Sequence, residues 1–127
     1  MKQLINTIII LAVVYTSHNL EAQIEQKKIL IVVTNHNKYN TLDKPTGSWL
    51  GEVTHFYHVL EKAGYTMDIV SPKGGKMPID PKSYKIKGVN KKLMDDTVFV
   101  AKINNTLNPY QVNANDYLAI YYTGGHG

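Results

Sequence analysis

Residues 27–35, KKILIVVTN, form a nearly unbroken run of β-branched and other apolar residues. A strand with one face in water alternates apolar with polar side chains, whereas a strand buried on both faces does not. The run therefore demands a sheet covered on both sides, and such sheets are built from parallel strands linked by helices.

The residues that follow supply the link. HNKYNTLDKPTGS is polar and turn-rich, with Pro45 and Gly47. WLGEVTHFYHVLEKAG then places Leu50, Val53, Tyr57, Leu60 and Ala63 at helical spacing, with Ser48 as an expected N-cap and Gly64 as a stop. YTMDIVSP reads as a second strand, ended by Pro72 and the Gly74-Gly75 turn. Strand, helix and strand at this spacing make a crossover unit. Beyond it, KMPIDPKSYKIKG is loop-like, and NKKLMDDTVFVAKINNTL holds one or two short helices, the second starting at Asp95-Asp96. NPYQVNANDY is a polar connection, and LAIYYTGG is a third strand with Gly124 and Gly125 at its carboxyl end. The expected class is α/β: an open, mostly parallel sheet of the flavodoxin-like or Rossmann-like kind.

The first segment, MKQLINTIIILAVVYTSHNLEAQ, has a lysine at position 2, an apolar stretch from about Ile8 to Tyr15, and a small residue, Ala22, after a polar stretch. This is the layout of a secretory signal peptide, and the apolar run falls short of the roughly 20 residues that span a bilayer. The expected organisation is a signal peptide over 1–22 and one domain over 23–127, exported to the periplasm or outside the cell, with no membrane attachment after cleavage.

Composition removes several functions. The chain has no cysteine, which excludes disulfides, thiolate metal sites, a lipoprotein anchor and a cysteine nucleophile within these 127 residues. Its net charge of +4 comes from scattered lysines, without the single basic face and aromatic partners that nucleic acid requires, so a nucleic-acid partner is not expected.

Ligands of open α/β sheets bind beyond the carboxyl ends of the strands. The loop 35–48, Glu52 in the first helical turn, and Gly124-Gly125-His126-Gly127 converge there. Glu52 has two readings: a carboxylate that complements the helix macrodipole, or an acid poised beside a nucleophile. Adjacent glycines after a strand expose backbone N–H groups that can hold an oxyanion or a phosphate. The spacing of GGHG is neither that of a phosphate loop nor that of a dinucleotide fingerprint. His55 and His58 extend Glu52 into a Glu-x-x-His-x-x-His series, but the zinc spacing HExxH is absent, and no metal is expected. Trp49 and Tyr39 sit by the expected mouth, either lining a pocket or covering the helix start.

Three separated stretches, KILIVVTN, PTGSWLGEVTHFYHVLEKAGYTMDIVSPKGGKMPIDPKS and DYLAIYYTGGHG, together resemble the DJ-1/PfpI superfamily, the class I glutamine amidotransferase-like group. The branch they are most similar to is the Hsp31-type chaperone and glyoxalase III group. The resemblance runs from about Ile29 to Gly127. It implies a flavodoxin-like sandwich, a cysteine nucleophile on a strand-to-helix elbow beside a histidine, and a catalytic glutamate corresponding to Glu52. It further implies an oxyanion hole made by the backbone of Gly124 and Gly125, the second being favoured, with Trp49 and His126 as pocket-lining candidates. The activities implied are conversion of methylglyoxal to lactate, deglycation and holding of unfolded chains, all without a cofactor. The implied partners are a small carbonyl substrate for the intact parent and, as in many members, a second copy in a homodimer.

The chain departs from that pattern at one point. The elbow, an Ala-x-Cys-His-Gly-like segment, lies downstream of GGHG in the family. His126 belongs to the glycine loop and is not the histidine that follows the family's cysteine. The expectation is an N-terminal portion of a longer protein, cut after the third strand, inactive alone, and leaving an apolar sheet face and strand edge uncovered.

Overall fold

The structure, a computed structural model, describes residues 28–125. The expected signal segment and His126 lie outside these residues. Strand β1 (Lys28–Val32) is the centre of a three-stranded parallel sheet, flanked by β2 (Met67–Val70) and β3 (Tyr117–Tyr122) in the order β2-β1-β3. Ile29 and Ile31 pair with Met67 and Ile69 on one side and with Ala119 and Tyr121 on the other. A register irregularity between Lys28 and Ile29 sets the start of β3 one residue out.

Helix α1 (Leu50–Lys62) joins β1 to β2. It buries Leu50, Val53, Thr54 and Tyr57, the i, i+3, i+4, i+7 stripe of a one-sided helix. Thr54 belongs to that stripe because its hydroxyl is satisfied, donating to the Leu50 carbonyl at 3.0 Å. Ala63 is the exposed C-cap rather than a core residue, and Gly64 follows it at φ 83°, the left-handed conformation that ends helices. Ser48 is not the N-cap. Trp49 holds that position and makes no side-chain cap hydrogen bond to the helix, and the first helical N–H, that of Leu50, donates instead to the Ser83 hydroxyl at 3.0 Å.

Two short helices follow, α2 (Gly88–Met94) and α3 (Thr97–Asn104). Asp96 caps α3 by accepting from the N–H groups of Val98 and Phe99 at 2.8 and 3.0 Å. Leu93, Phe99 and Ile103 enter the same core as Val53 and Tyr57, against Ile29, Ile31, Val33, Met67 and Ile69. All three described helices thus cover one face of the sheet. A right-handed return from β2 past β1 to β3 has to use the opposite face. It does so through the short turns Pro109–Gln111 and Ala114–Asp116, after Leu107 has bridged to Val70 on the outer side of β2.

Those turns cover the second face only in part. Pro109 and Val112 close over an apolar depression floored by Leu30, Val32 and Val70. Leu118, Ile120 and Tyr122 of β3 remain 61%, 53% and 72% exposed. The uncovered apolar face expected from the sequence is therefore present among the described residues. None of their helices is long and apolar enough to cross a membrane.

Candidate functional site

The carboxyl ends of β1 and β3 are tied together before either chain turns away. The N–H and the hydroxyl of Thr123 both donate to the Val32 carbonyl at 3.0 Å. The strand order reverses between these two strands, since the chain leaves β1 toward β2 and returns on the other side, and such a switch point is where open α/β sheets place ligands.

Ser48 organises the approach. It bridges Ile79 on one side and Gly125 on the other, so that three chain segments run side by side. Its N–H donates to the Pro78 carbonyl at 2.9 Å, its carbonyl accepts from Asp80 N–H at 3.0 Å, and its hydroxyl accepts from Thr34 N–H at 3.3 Å. The segments lie too close for side chains. A Cβ at Gly47 would stand 2.5 Å from the Pro78 carbonyl oxygen, and one at Gly125 would stand 2.6 Å from that of Gly47. Both glycines are required by this close approach.

Glu52 completes the arrangement. From the first turn of α1 its Oε2 accepts the Gly124 N–H at 2.5 Å, while the Gly124 carbonyl accepts from Trp49 N–H at 3.3 Å. The glycine loop is thus gripped at one residue by a carboxylate and by the helix start. The arrangement holds an exposed carboxylate over the end of the sheet, where it can hydrogen-bond or exchange a proton with an acid placed beside it. The N–H of Gly124 is committed to Glu52 in this state, and Gly125 lies next to it along the Ser48 seam.

The other residues singled out from the sequence are distributed differently. Trp49 is half-buried, and its side chain lines a depression on the flank of α1 together with the exposed His55. Tyr39 closes a turn within its own loop, donating its N–H to the Lys44 carbonyl at 3.1 Å. His58 lies between Glu61 and Lys92, its Nδ1 3.8 Å from Glu61 Oε2 and 3.4 Å from Lys92 Nζ. Among the described residues no group of three or more His, Asp or Glu side chains could hold a metal ion.

Two supporting residues escaped the sequence reading. Buried Asp80 accepts from the Thr46 hydroxyl at 3.2 Å and from Lys82 N–H at 2.8 Å, and Ser83 donates to the Asp80 carbonyl at 2.8 Å while capping α1. The signal was present in Asp80-Pro81-Lys82-Ser83: an aspartate before a proline, followed by a hydroxyl residue, marks a capped turn.

No protein-family model matches the chain. It is 33% identical over 109 residues to the glutathione-independent glyoxalase Hsp31 of Saccharomyces cerevisiae, a match that takes in 80% of this chain and 45% of that protein. Among solved structures, the 24 kDa rapid encystment protein of Francisella tularensis superposes with a TM-score of 0.73 at 36% identity, over 79% of this chain and 45% of that one. Glyoxalase III of Candida albicans superposes with a TM-score of 0.69 at 25% identity, over 80% and 45%. The chain spans a little under half the length of the relatives it matches. In sequence and in fold it is homologous to the N-terminal portion of Hsp31- and glyoxalase III-type proteins, and it belongs to the DJ-1/PfpI superfamily.

Proposed function

We propose that this chain is the glutamate-bearing half of a cysteine-dependent glyoxalase III or deglycase-type site acting on small reactive carbonyls such as methylglyoxal. The observation that carries the reading is Glu52, held over the end of β3 by the Gly124 N–H. The names of the Saccharomyces and Candida relatives support it. In the complete site a thiolate attacks the aldehyde carbon, forming a carbon–sulfur bond and leaving the charge on the carbonyl oxygen. Glu52 hydrogen-bonds the thiol and moves the proton. Backbone N–H groups of the Gly124-Gly125 loop stabilise the developing oxyanion.

The 127 residues contain no cysteine. We therefore assign the nucleophile to the part of the relatives' length that this chain does not span, and read the chain alone as inactive. Export directed by residues 1–22 belongs to the same proposal. The experiment is to read the gene beyond codon 127 in all three frames. An Ala-x-Cys-His-Gly-like elbow supports the enzyme, and its absence from every frame counts against it.

A second reading has its own observation. The exposed Leu118, Ile120 and Tyr122 form an apolar sheet face that can hold unfolded clients without any nucleophile. Suppression of a client's thermal aggregation by the chain, lost when these residues are made polar, would favour it.

A further inference from the structure

On the flank of α1 that carries Gly51 and His55, a depression of about 500 Å³ opens against the segment from Ser83 to Asn90. The buried polar side chains of its floor are already hydrogen-bonded. Ser83, 4% exposed, accepts from Leu50 N–H and donates to the Asp80 carbonyl. Asn90, 8% exposed, accepts from the Thr54 hydroxyl at 2.5 Å and donates to the Lys85 carbonyl at 2.9 Å. The second of these bonds pins the backbone of Lys85 to the helical layer.

The rim carries charge of one sign. Lys85 and Lys87 line it and no Asp or Glu does. Among the described residues neither lysine makes an ion pair. Nearby carboxylates are engaged elsewhere: Glu52 with Gly124, Asp80 with Thr46, and Asp95 with Lys91 at 2.6 Å. From Pro81 to Met94 the chain has five of its fourteen cationic residues and no acidic one. Trp49 and Val89 give the same depression an apolar wall. A concave site of this volume, with an apolar wall and a few convergent polar groups, matches a small molecule rather than a macromolecular surface.

We propose that this depression binds a small organic anion, a carboxylate or phosphate joined to an apolar body. Lys85 and Lys87 meet the anionic group and Trp49 lies against the body. This site stands independently of the carbonyl chemistry proposed for Glu52.

Trp49 is the only tryptophan in the chain, so its fluorescence reports occupancy. The full chain is titrated with phenyl phosphate, benzoate, inorganic phosphate and uncharged benzyl alcohol. The expected result is a saturable change with phenyl phosphate, benzoate or both, which weakens as salt is added. Phenyl phosphate alone assigns a phosphate ligand, and benzoate alone a carboxylate. Lys85→Gln and Lys87→Gln each weaken binding by about tenfold, while Lys91→Gln, which faces Asp95, leaves it unchanged. Far-UV circular dichroism checks that these exposed replacements keep the fold. No saturable change, an equal response to benzyl alcohol, saturation by inorganic phosphate alone, or unaltered affinity in the Lys85→Gln/Lys87→Gln double variant overturns the proposal.

Discussion

The carboxylate of Glu52 accepts a hydrogen bond at 2.5 Å from the N–H of Gly124, 72 residues further along the chain. That bond joins the start of the first helix to the end of the third strand across the switch point of the sheet. It is a charge-assisted bond in an exposed place, so its effect is local order more than global stability.

Amide hydrogen exchange tests that order directly. The Gly124 N–H is expected to be protected in the wild type and to exchange at least about tenfold faster in Glu52→Ala, where the acceptor is gone. The amides of Ile29 and Ile31 in the central strand should keep their rates. Equal exchange at Gly124 in both proteins would show that the bond does not persist in solution.

The Ser48 seam makes opposite predictions for two glycines four residues apart. Gly47→Ala puts a Cβ 2.5 Å from a backbone oxygen that cannot swing aside, and should destabilise by about 2–3 kcal/mol. Gly51 lies within α1, and an added Cβ would come no nearer than 3.9 Å to Trp49 Cδ1. Gly51→Ala should stabilise by about 0.5–1 kcal/mol. Urea midpoints at constant m-value separate the two.

Much of this architecture is legible along the chain, and its limits are instructive. The apolar run around Ile31 announces a buried central strand, Gly64 ends α1, and Asp96 starts α3, because each signal acts within a few residues. Ser48 fails as an N-cap because Ser83, 33 residues away, supplies the hydroxyl. Thr54 is buried although hydropathy argues against it, since its single hydroxyl proton lies between two acceptors, the Leu50 carbonyl at 3.0 Å and Asn90 Oδ1 at 2.5 Å. The side of the sheet chosen by α2 and α3 depends on long-range contacts of Leu93, Phe99 and Ile103 that no local pattern encodes. Glu52 and Gly124 each stand out in the sequence for their own chemistry, but only the fold shows that they are bonded.

Alkaline pH gives a further test. The Tyr117 hydroxyl donates to Asp68 Oδ2 at 3.0 Å, and burial together with that bond pushes its phenol from 10.0 up to about 12. The folded state holds the proton more tightly than the unfolded chain. Its contribution is therefore complete below pH 10 and is lost as pH rises toward about 12. Lys28 stands 3.1 Å from the same carboxylate, so the comparison is with Tyr117→Phe, which leaves that ion pair in place. Between about pH 9 and about pH 12 the wild type should lose more stability than the variant. Identical slopes would remove Tyr117 as the cause.

The two sheet faces should respond oppositely to mutation. Ile31, fully buried under the helices, should cost about 2–5 kcal/mol on truncation to Ala. Ile120→Thr and Tyr122→Ser, on the open face, should each change stability by no more than about 0.5 kcal/mol. Together they should lower light scattering of the purified chain on warming, because they break an exposed apolar patch. Unchanged scattering would show that this face does not drive self-association.

The most direct test of the central proposal is methylglyoxal consumption by the polypeptide in which this chain is continued by its own downstream codons, with and without Glu52→Gln. Consumption that requires both a downstream cysteine and Glu52 is the predicted result, with Glu52→Gln lowering the rate by about 10²-fold or more. A downstream cysteine whose activity is indifferent to Glu52→Gln, or a continued protein that consumes no methylglyoxal, would contradict it.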